Sequence, residues 1–66
     1  MQPHQQRVID ERNELSAKLA KLIVFTNSDS FTEIVEDERE RDRLIQQKSI
    51  MAQYLAILNR RIIAFK

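Results

Sequence analysis

A chain of 66 residues without cysteine and with a single histidine forms one small domain, residues 1–66, that has neither disulfides nor a structural zinc site to stabilise it. Because glycine is also absent, the glycine-rich loops that hold phosphates and dinucleotides are excluded, and any nucleotide site must be made of side chains. The net charge of +1 is too small for nonspecific binding of duplex DNA. Since a core of this size is only marginally stable, we expect the chain to self-associate.

The first predicted element is an amphipathic helix over about residues 4–26. Pro3 suits its first turn, where the amide that proline lacks would have no intrahelical partner. Apolar residues at helical spacing define one face of this helix: Val8, Leu15, Leu19 and Leu22, with Ile9 and Ile23 beside them. Arg12 interrupts that face. Its guanidinium is expected to fix the register of the two helices or to meet an acidic partner. The alternative is that the aliphatic part of the side chain packs while the guanidinium reaches water.

A turn is expected at Asn27, the best candidate in a chain without glycine for a left-handed residue that ends the helix. Ser30 and Glu33 have the spacing of a capping box, so a short helical turn should begin at Ser30. Phe31 is expected to close the end of the core. Acidic residues and arginines then mix over residues 36–43, which predicts i,i+3 ion pairs at a solvated helix start.

The second long helix is predicted over about residues 37–65, and its last sixteen residues hold the densest apolar surface of the chain. One stripe runs along it at helical spacing: Leu44, Met51, Leu55, Leu58, Ile62 and Phe65. A second row lies beside that stripe: Ile45, Ala52, Ala56 and Ile63. Because one partner helix rarely covers both rows, the sequence predicts an all-α antiparallel two-helix hairpin, with a short helical turn in its connection, assembled into a symmetric homo-oligomer.

Charge is unevenly distributed along the chain. Residues 27–42 carry seven acidic and two basic groups, whereas residues 43–66 carry five basic groups and no acidic one. Such a cationic final helix can attract anionic ligands. No apolar run approaches the length of a membrane span, and a polar segment follows Met1, so we expect a soluble, intracellular protein without a membrane partner.

The sequence offers little for catalysis. Asp10 and Glu14 lie one helical turn apart, as acid pairs do on many helices, and no apolar pocket is evident that would raise a pKa. We therefore expect a binding protein rather than an enzyme, with no cofactor and no metal. The stronger candidates are Arg60 and Arg61, because guanidinium groups within an apolar stretch can bind phosphate bidentately. The alternative is that Arg60 and Arg61 lie on an exposed edge of the helix, where their positive charges stabilise its C-terminal end.

Two stretches of the sequence resemble a known family. The runs PHQQRVIDERNELSAKLAKLIVF (Pro3 to Phe25) and MAQYLAILNRRIIAF (Met51 to Phe65) are similar to the helical-hairpin domain of the phage anti-CBASS cyclic-nucleotide sponges, a domain that anti-Thoeris sponges share. The resemblance implies a hexamer that sequesters cyclic di- or trinucleotide immune messengers, or cyclic ADP-ribose isomers, in the host cytoplasm. It implies that these ligands are held without cleavage, which blocks host anti-phage signalling.

The resemblance also implies where the ligand binds. It places contacts at the start of the first helix, at a later lysine of that helix and at an arginine of a neighbouring subunit. Together with the arginine pair, the candidate ligand-binding residues are His4, Gln6, Arg7, Lys21, Phe25, Thr26, Arg60 and Arg61. The family carries an aromatic residue near the start of the first helix, where this chain has only His4, Gln5 and Gln6.

A different class of function is compatible with the same sequence. The acidic stretch within residues 33–42 could contact a host protein, which would make the chain a small helical phage inhibitor or adaptor that acts by protein–protein contact. Charge reversal in that stretch distinguishes the two functions, because it would abolish protein contact and leave a nucleotide sponge nearly intact.

Overall fold

The computed structural model describes residues 1–66 and contains three helices and no strand. The helices are α1 (Pro3–Thr26), α2 (Phe31–Ile34) and α3 (Glu38–Ile63). α1 and α3 pack side by side in opposite directions, since Arg12 of α1 contacts Asn59 of α3, whereas Thr26 at the end of α1 contacts Lys48, which comes earlier in α3. The resulting rod measures 47 × 15 × 14 Å. The predicted all-α hairpin with a short helical turn in its connection is thus confirmed.

Local chemistry explains where the long helices begin and end. Pro3 opens α1 as predicted, and the preceding N–H of Gln2 donates to Oε1 of Gln5 at 3.0 Å. Asp37 caps α3, because its carboxylate accepts a hydrogen bond from the N–H of Arg39 at 2.9 Å. α3 ends at Ile63, two residues before the predicted end, where the N–H of residue 65 donates to the carbonyl of residue 62 and tightens the last turn.

The connection between the long helices corrects two predictions. Asn27 follows the end of α1, but with φ −91° and ψ −3° it is right-handed, and no residue of the chain has a positive φ. Ser30 precedes α2 without capping it. The serine hydroxyls are used within the turn instead: Ser28 donates to the carbonyl of Phe25 at 2.7 Å, and its oxygen lies 3.4 Å from that of Ser30. The chain therefore continues on a right-handed path that needs no left-handed residue.

The core is a single seam between α1 and α3. Its buried side chains are Val8, Leu19, Phe31 and Leu58, and Leu58 alone has no exposed surface. The other members of the two predicted stripes are half-buried: Leu15, Leu22, Leu44, Met51, Leu55, Ile62 and Phe65. Phe31 closes the connection end as predicted, with its ring edge-on to that of Phe25 and 5.3 Å between the centroids.

Three side-chain hydrogen bonds join α1 to α3, and cations donate two of them. The guanidinium of Arg12 donates to Oδ1 of Asn59 at 3.1 Å and to Oδ1 of Asn13 at 2.9 Å, so its partners are amides rather than acidic residues. Lys48 occupies a stripe position of α3 and its ammonium donates to the hydroxyl of Thr26 at 3.4 Å. A slip of the helices would leave both cations without these partners, so the contacts favour one register.

The hairpin has two broad faces, one on each side of the seam. The hydrogen bond from the hydroxyl of Tyr54 to the carboxylate of Glu11 lies on one side, and the contact of Arg12 with Asn59 lies on the other. By helical spacing, the first side, here the charged face, carries His4, Arg7, Glu11, Lys18, Gln47, Ile50, Tyr54, Ile57 and Arg61. The second side carries Ile9, Ser16, Ala20, Ile23, Ile45, Ala52, Ala56 and Ile63, and these eight residues are here called the uncharged face. Arg12 lies at the edge of this face next to the seam, where Asn59 accepts its hydrogen bond.

No part of the chain covers the uncharged face. Ile63 on this face is 83% exposed and Ile45 is 47% exposed. The chain has a solvent-accessible surface of 5200 Å², whereas a compact monomer of 7.9 kDa has about 4,400 Å². The excess of about 800 Å² equals the area that one partner contributes to a protein–protein interface of standard size.

Candidate functional site

The candidate ligand-binding residues form two groups at opposite ends of the hairpin. The connection-end group consists of Lys21, Phe25 and Thr26. The open-end group consists of His4, Gln6, Arg7, Arg60 and Arg61. At 1.5 Å per helical residue, Arg7 and Lys21 are roughly 21 Å apart along α1. A single chain therefore does not bring the two groups together.

Two clefts flank Phe25 in the connection-end group, and Lys21 lines both of them. The larger cleft has a volume of about 540 Å³ and is lined by Ala20, Lys21, Val24, Phe25, Ser28 and Ser30. The smaller cleft has a volume of about 390 Å³, reaches α3 and is lined by Lys18, Lys21, Leu22, Phe25, Gln47 and Met51. The larger cleft combines one ammonium group with apolar walls and the smaller cleft combines two, and this combination suits an anion that carries flat apolar groups.

Thr26 lies outside both clefts. Its hydroxyl donates to the carbonyl of Leu22 at 2.9 Å and accepts the hydrogen bond from Lys48. These contacts hold it within the hairpin. Of the predicted connection-end residues, Lys21 and Phe25 are thus the two that line a cleft.

The open-end group supplies charge, and its one flat ring is the exposed imidazole of His4. Gln6 donates from Nε2 to Oδ1 of Asp10 at 2.9 Å, and His4, Arg7, Arg60 and Arg61 are exposed. Arg61 lies on the charged face, while Arg60 is turned 100° further around α3, away from the seam. Phe65, an aromatic ring at this end, is half-buried. This end of the hairpin can therefore contribute cations to a site whose apolar walls come from elsewhere.

The cations of both groups have no acidic partner. The ion pairs within 4.0 Å involve Arg43, with Glu40 at 2.8 Å and Asp37 at 4.0 Å. The hydrogen bond that Arg43 donates to Glu40 and the charge of that carboxylate raise the pKa of the Arg43 guanidinium. The exposed cations without a carboxylate within 4.0 Å include Arg7, Lys18, Lys21, Arg60 and Arg61. These groups are available to an anionic ligand.

The acidic stretch of residues 33–42 has partners of its own. Asp37 caps α3 and Glu40 pairs with Arg43. The predicted pairs of Glu36 with Arg39 and of Glu38 with Arg41 do not form. Arg41 donates to the backbone carbonyls of residues 35 and 36 at 2.8 and 2.9 Å, which anchors the connection to α3. Part of the acidic stretch therefore has a structural role within the hairpin.

The structure adds residues that sequence reasoning did not assign to the site. Lys18 stands one turn before Lys21, a spacing that the sequence already displays. Gln47 and Met51 of α3 join them only through the packing of the hairpin, so local spacing does not reveal them. No cluster of histidine and carboxylate side chains is able to hold a metal ion.

A family profile described as Sequestin matches residues 2–64, which include both groups and both clefts. The chain belongs to the Sequestin family. This match confirms the resemblance to the cyclic-nucleotide sponges, and the family name describes sequestration of a ligand. No curated protein and no solved structure gives a significant match to the chain. In this Sequestin none of the helices contains an apolar stretch that would cross a lipid bilayer.

Proposed function

We propose that this Sequestin is a phage-encoded sponge that binds cyclic oligonucleotide immune messengers and holds them uncleaved in the host cytoplasm, which blocks anti-phage signalling. The observation that carries the proposal is the pair of clefts beside Phe25, where the unpaired Lys21 meets apolar walls. Cyclic di- and trinucleotides carry one negative charge per phosphodiester and expose flat bases. They therefore need cations next to apolar or aromatic surface.

Binding without cleavage suits the residues of the clefts. No histidine or carboxylate lines either cleft, so the side chains that most often activate a serine hydroxyl as a nucleophile are not found there. The hydroxyl of Ser28 donates to the backbone carbonyl of Phe25. A ligand held by charge and stacking alone is released unchanged when the protein unfolds.

The proposal includes a symmetric homo-oligomer, a hexamer by resemblance, because the two groups of ligand residues lie at opposite ends of one hairpin. In such a pair, the charged faces of two copies lie against each other, and the two-fold axis runs between them, across the long axis of the rods. This symmetry places the open-end group of each copy over the connection-end group of the other. Each of the two equivalent sites then contains Lys21 and Phe25 from one chain and Arg61 from the second. The uncharged face stays free in such a pair, and its apolar surface supports assembly of pairs into a larger ring.

A thermal-shift screen tests this function. The ligands are cyclic di- and trinucleotides and cyclic ADP-ribose isomers, and each bound ligand is recovered after heat denaturation and analysed by chromatography. A ligand present at a hundred times its dissociation constant stabilises the folded protein by about 2.7 kcal/mol, which raises Tm by about 11 °C or more in a domain of this size. The absence of any shift in a folded sample refutes the sponge, and recovery of a linearised ligand shows an enzyme.

Two variants locate the site. Lys21→Ala and Arg61→Ala should each remove most of the ligand-induced shift, because each deletes a cation that the proposed site takes from a different chain. Arg39→Ala is the charge-matched control, since this exposed cation lines neither cleft. Light scattering should give the same mass for all three. Normal binding by both site variants would place the ligand elsewhere.

A further inference from the structure

We infer that the charged face binds the charged face of a second copy in a single antiparallel register, which is determined by Glu11 of each chain opposite Lys18 of the other. This inference rests on the proposed function and deepens it, because it names the residues of the second copy that complete the smaller cleft. Three features of this face favour a second copy as its partner, namely a row of exposed apolar side chains, a pair of complementary charges and the area of the face.

The row of apolar side chains runs along the middle of the charged face. Ile50, Tyr54 and Ile57 follow one another at helical spacing on α3 and are 64%, 42% and 45% exposed. Contiguous exposed apolar surface of this kind is typical of interaction sites. A face of 47 × 15 Å has a projected area of about 700 Å², close to the roughly 800 Å² that each partner contributes to an interface of standard size. A second copy carries a face of the same size and the same row, so it fits this surface along its whole length.

Two charges on α1 are complementary across a two-fold axis. Glu11 and Lys18 are exposed, and neither has an ion-pair partner within 4.0 Å. They are seven residues apart, about 10.5 Å along the helix, so they do not pair within one chain. With the axis across the long axis of the rods, α1 lies over α1 and α3 over α3, each antiparallel to its counterpart. One register of this pair places Glu11 of each copy opposite Lys18 of the other and forms two ion pairs at once.

The same symmetry fits α3. With Tyr54 at the axis, Ile50 of each copy contacts Ile57 of the other. The hydroxyl of Tyr54 donates to the carboxylate of Glu11, which ties the apolar row to the charge that selects the register. That carboxylate has a second oxygen, which can accept from the lysine of the other copy. A shift by one helical turn, about 5.4 Å, would break both ion pairs and separate the two rows, so a single register is favoured.

This register places the start of α1 over the smaller cleft of the other copy. His4 is seven residues before Glu11, and Phe25, in the wall of that cleft, is seven residues after Lys18. Residues equally far from the axis face each other, so the imidazole of His4 lies over the ring of Phe25. A base that enters the cleft can therefore stack between two flat rings.

The end of α3 arrives at the same cleft. Arg61 is seven residues after Tyr54, and Gln47, on the α3 side of the cleft, is seven residues before it. The guanidinium of Arg61 thus comes close to the unpaired ammonium of Lys21 in the other copy. Two cations from different chains then contact the phosphodiester groups of one ligand, and a single chain holds only an incomplete site.

Sedimentation equilibrium of the unliganded full chain tests the register by an exchange of charges. Glu11→Lys and Lys18→Glu each place like charges opposite each other at two equivalent points, so each should raise the concentration of half-assembly at least about 10-fold. The double variant, Glu11→Lys with Lys18→Glu, restores opposite charges and should return close to the unaltered protein. Because it also lacks the hydrogen bond to Tyr54, its recovery separates the ion pairs from that bond. Asp10→Lys, on the outer side of α1, is the charge-matched control and should change assembly little.

Single variants that assemble like the unaltered protein, or a double variant as weak as either of them, overturn the inference. The apolar row has its own test in Ile50→Asp and Ile34→Asp. The two isoleucines are 64% and 65% exposed, but Ile34 lies on α2, outside the charged face. Ile50→Asp alone should lower the mass at equal concentration, because its charge would be buried in the pair. An equal mass for both variants also overturns the inference.

Ligand binding is measured separately by the thermal shift. Ile50→Asp should lose most of the shift that a cyclic nucleotide causes, since His4 and Arg61 of the second copy no longer reach the cleft, whereas Ile34→Asp should keep it. A variant that no longer pairs and still binds normally overturns the completion of the site by a second copy. If no cyclic nucleotide shifts the unaltered protein, the sponge is refuted, and the mass measurements, made without ligand, still decide the register.

Discussion

Leu58→Ala is the most informative test of how the hairpin is held together. Leu58 alone has no exposed surface, and it belongs to a core of only four buried side chains. Truncation of a fully buried leucine to alanine costs about 2–5 kcal/mol. A domain below about 70–80 residues rarely has more than roughly 3–5 kcal/mol of net stability, so the variant should lose most of it. At about 4–8 °C for each kcal/mol, Tm should fall by about 8 °C or more.

Far-UV circular dichroism, followed against temperature, measures this loss, and Ile34→Ala provides the control. Ile34 is 65% exposed on α2 and lies outside both broad faces, so its truncation should cost less than about 1 kcal/mol. Both proteins should be compared at the same concentration, because assembly makes Tm depend on concentration. If Leu58→Ala melts within a few degrees of Ile34→Ala, the seam between α1 and α3 is not what stabilises the chain.

Three further predictions concern assembly, capping and the acidic stretch. Ile63→Asp should lower the mass measured by light scattering and leave the helices folded, because it places a charge on the uncharged face without disturbing the seam. An unchanged mass would show that assembly uses another surface. Asp37→Ala should lower the free energy of unfolding, measured in urea, by about 0.5–2 kcal/mol, since it removes the cap of α3. Asp42→Ala is the control and should change that free energy little, because Asp42 is exposed and makes no hydrogen bond. Charge reversal of Glu36, Glu38 and Glu40 to lysine should preserve the thermal shift caused by a cyclic nucleotide, and a lost shift would tie the acidic stretch to ligand binding.

Several features of this protein follow from the sequence by itself. The spacing of apolar residues determined both long helices and the stripes that meet in the seam, because a helix brings residues three and four apart onto one side whatever it packs against. The start of α1 at Pro3 and the closing position of Phe31 were equally predictable. Lys21 is implied by the family resemblance and Phe25 is among the candidate residues of the sequence, and the structure places both in the walls of the clefts.

Other features were decided only by the tertiary structure. Local spacing predicts a left-handed Asn27 and a capping Ser30, but in the structure Asn27 is right-handed, the side chain of Ser30 caps nothing, and the hydroxyl of Ser28 donates to the carbonyl of Phe25. Gln47 joined Lys18 in a cleft because antiparallel packing brought α3 beside α1 in one register. Contacts of this kind depend on how two surfaces interlock over the whole seam. Local spacing specifies which residues share a helix face, and it does not specify which residues of two helices lie opposite each other.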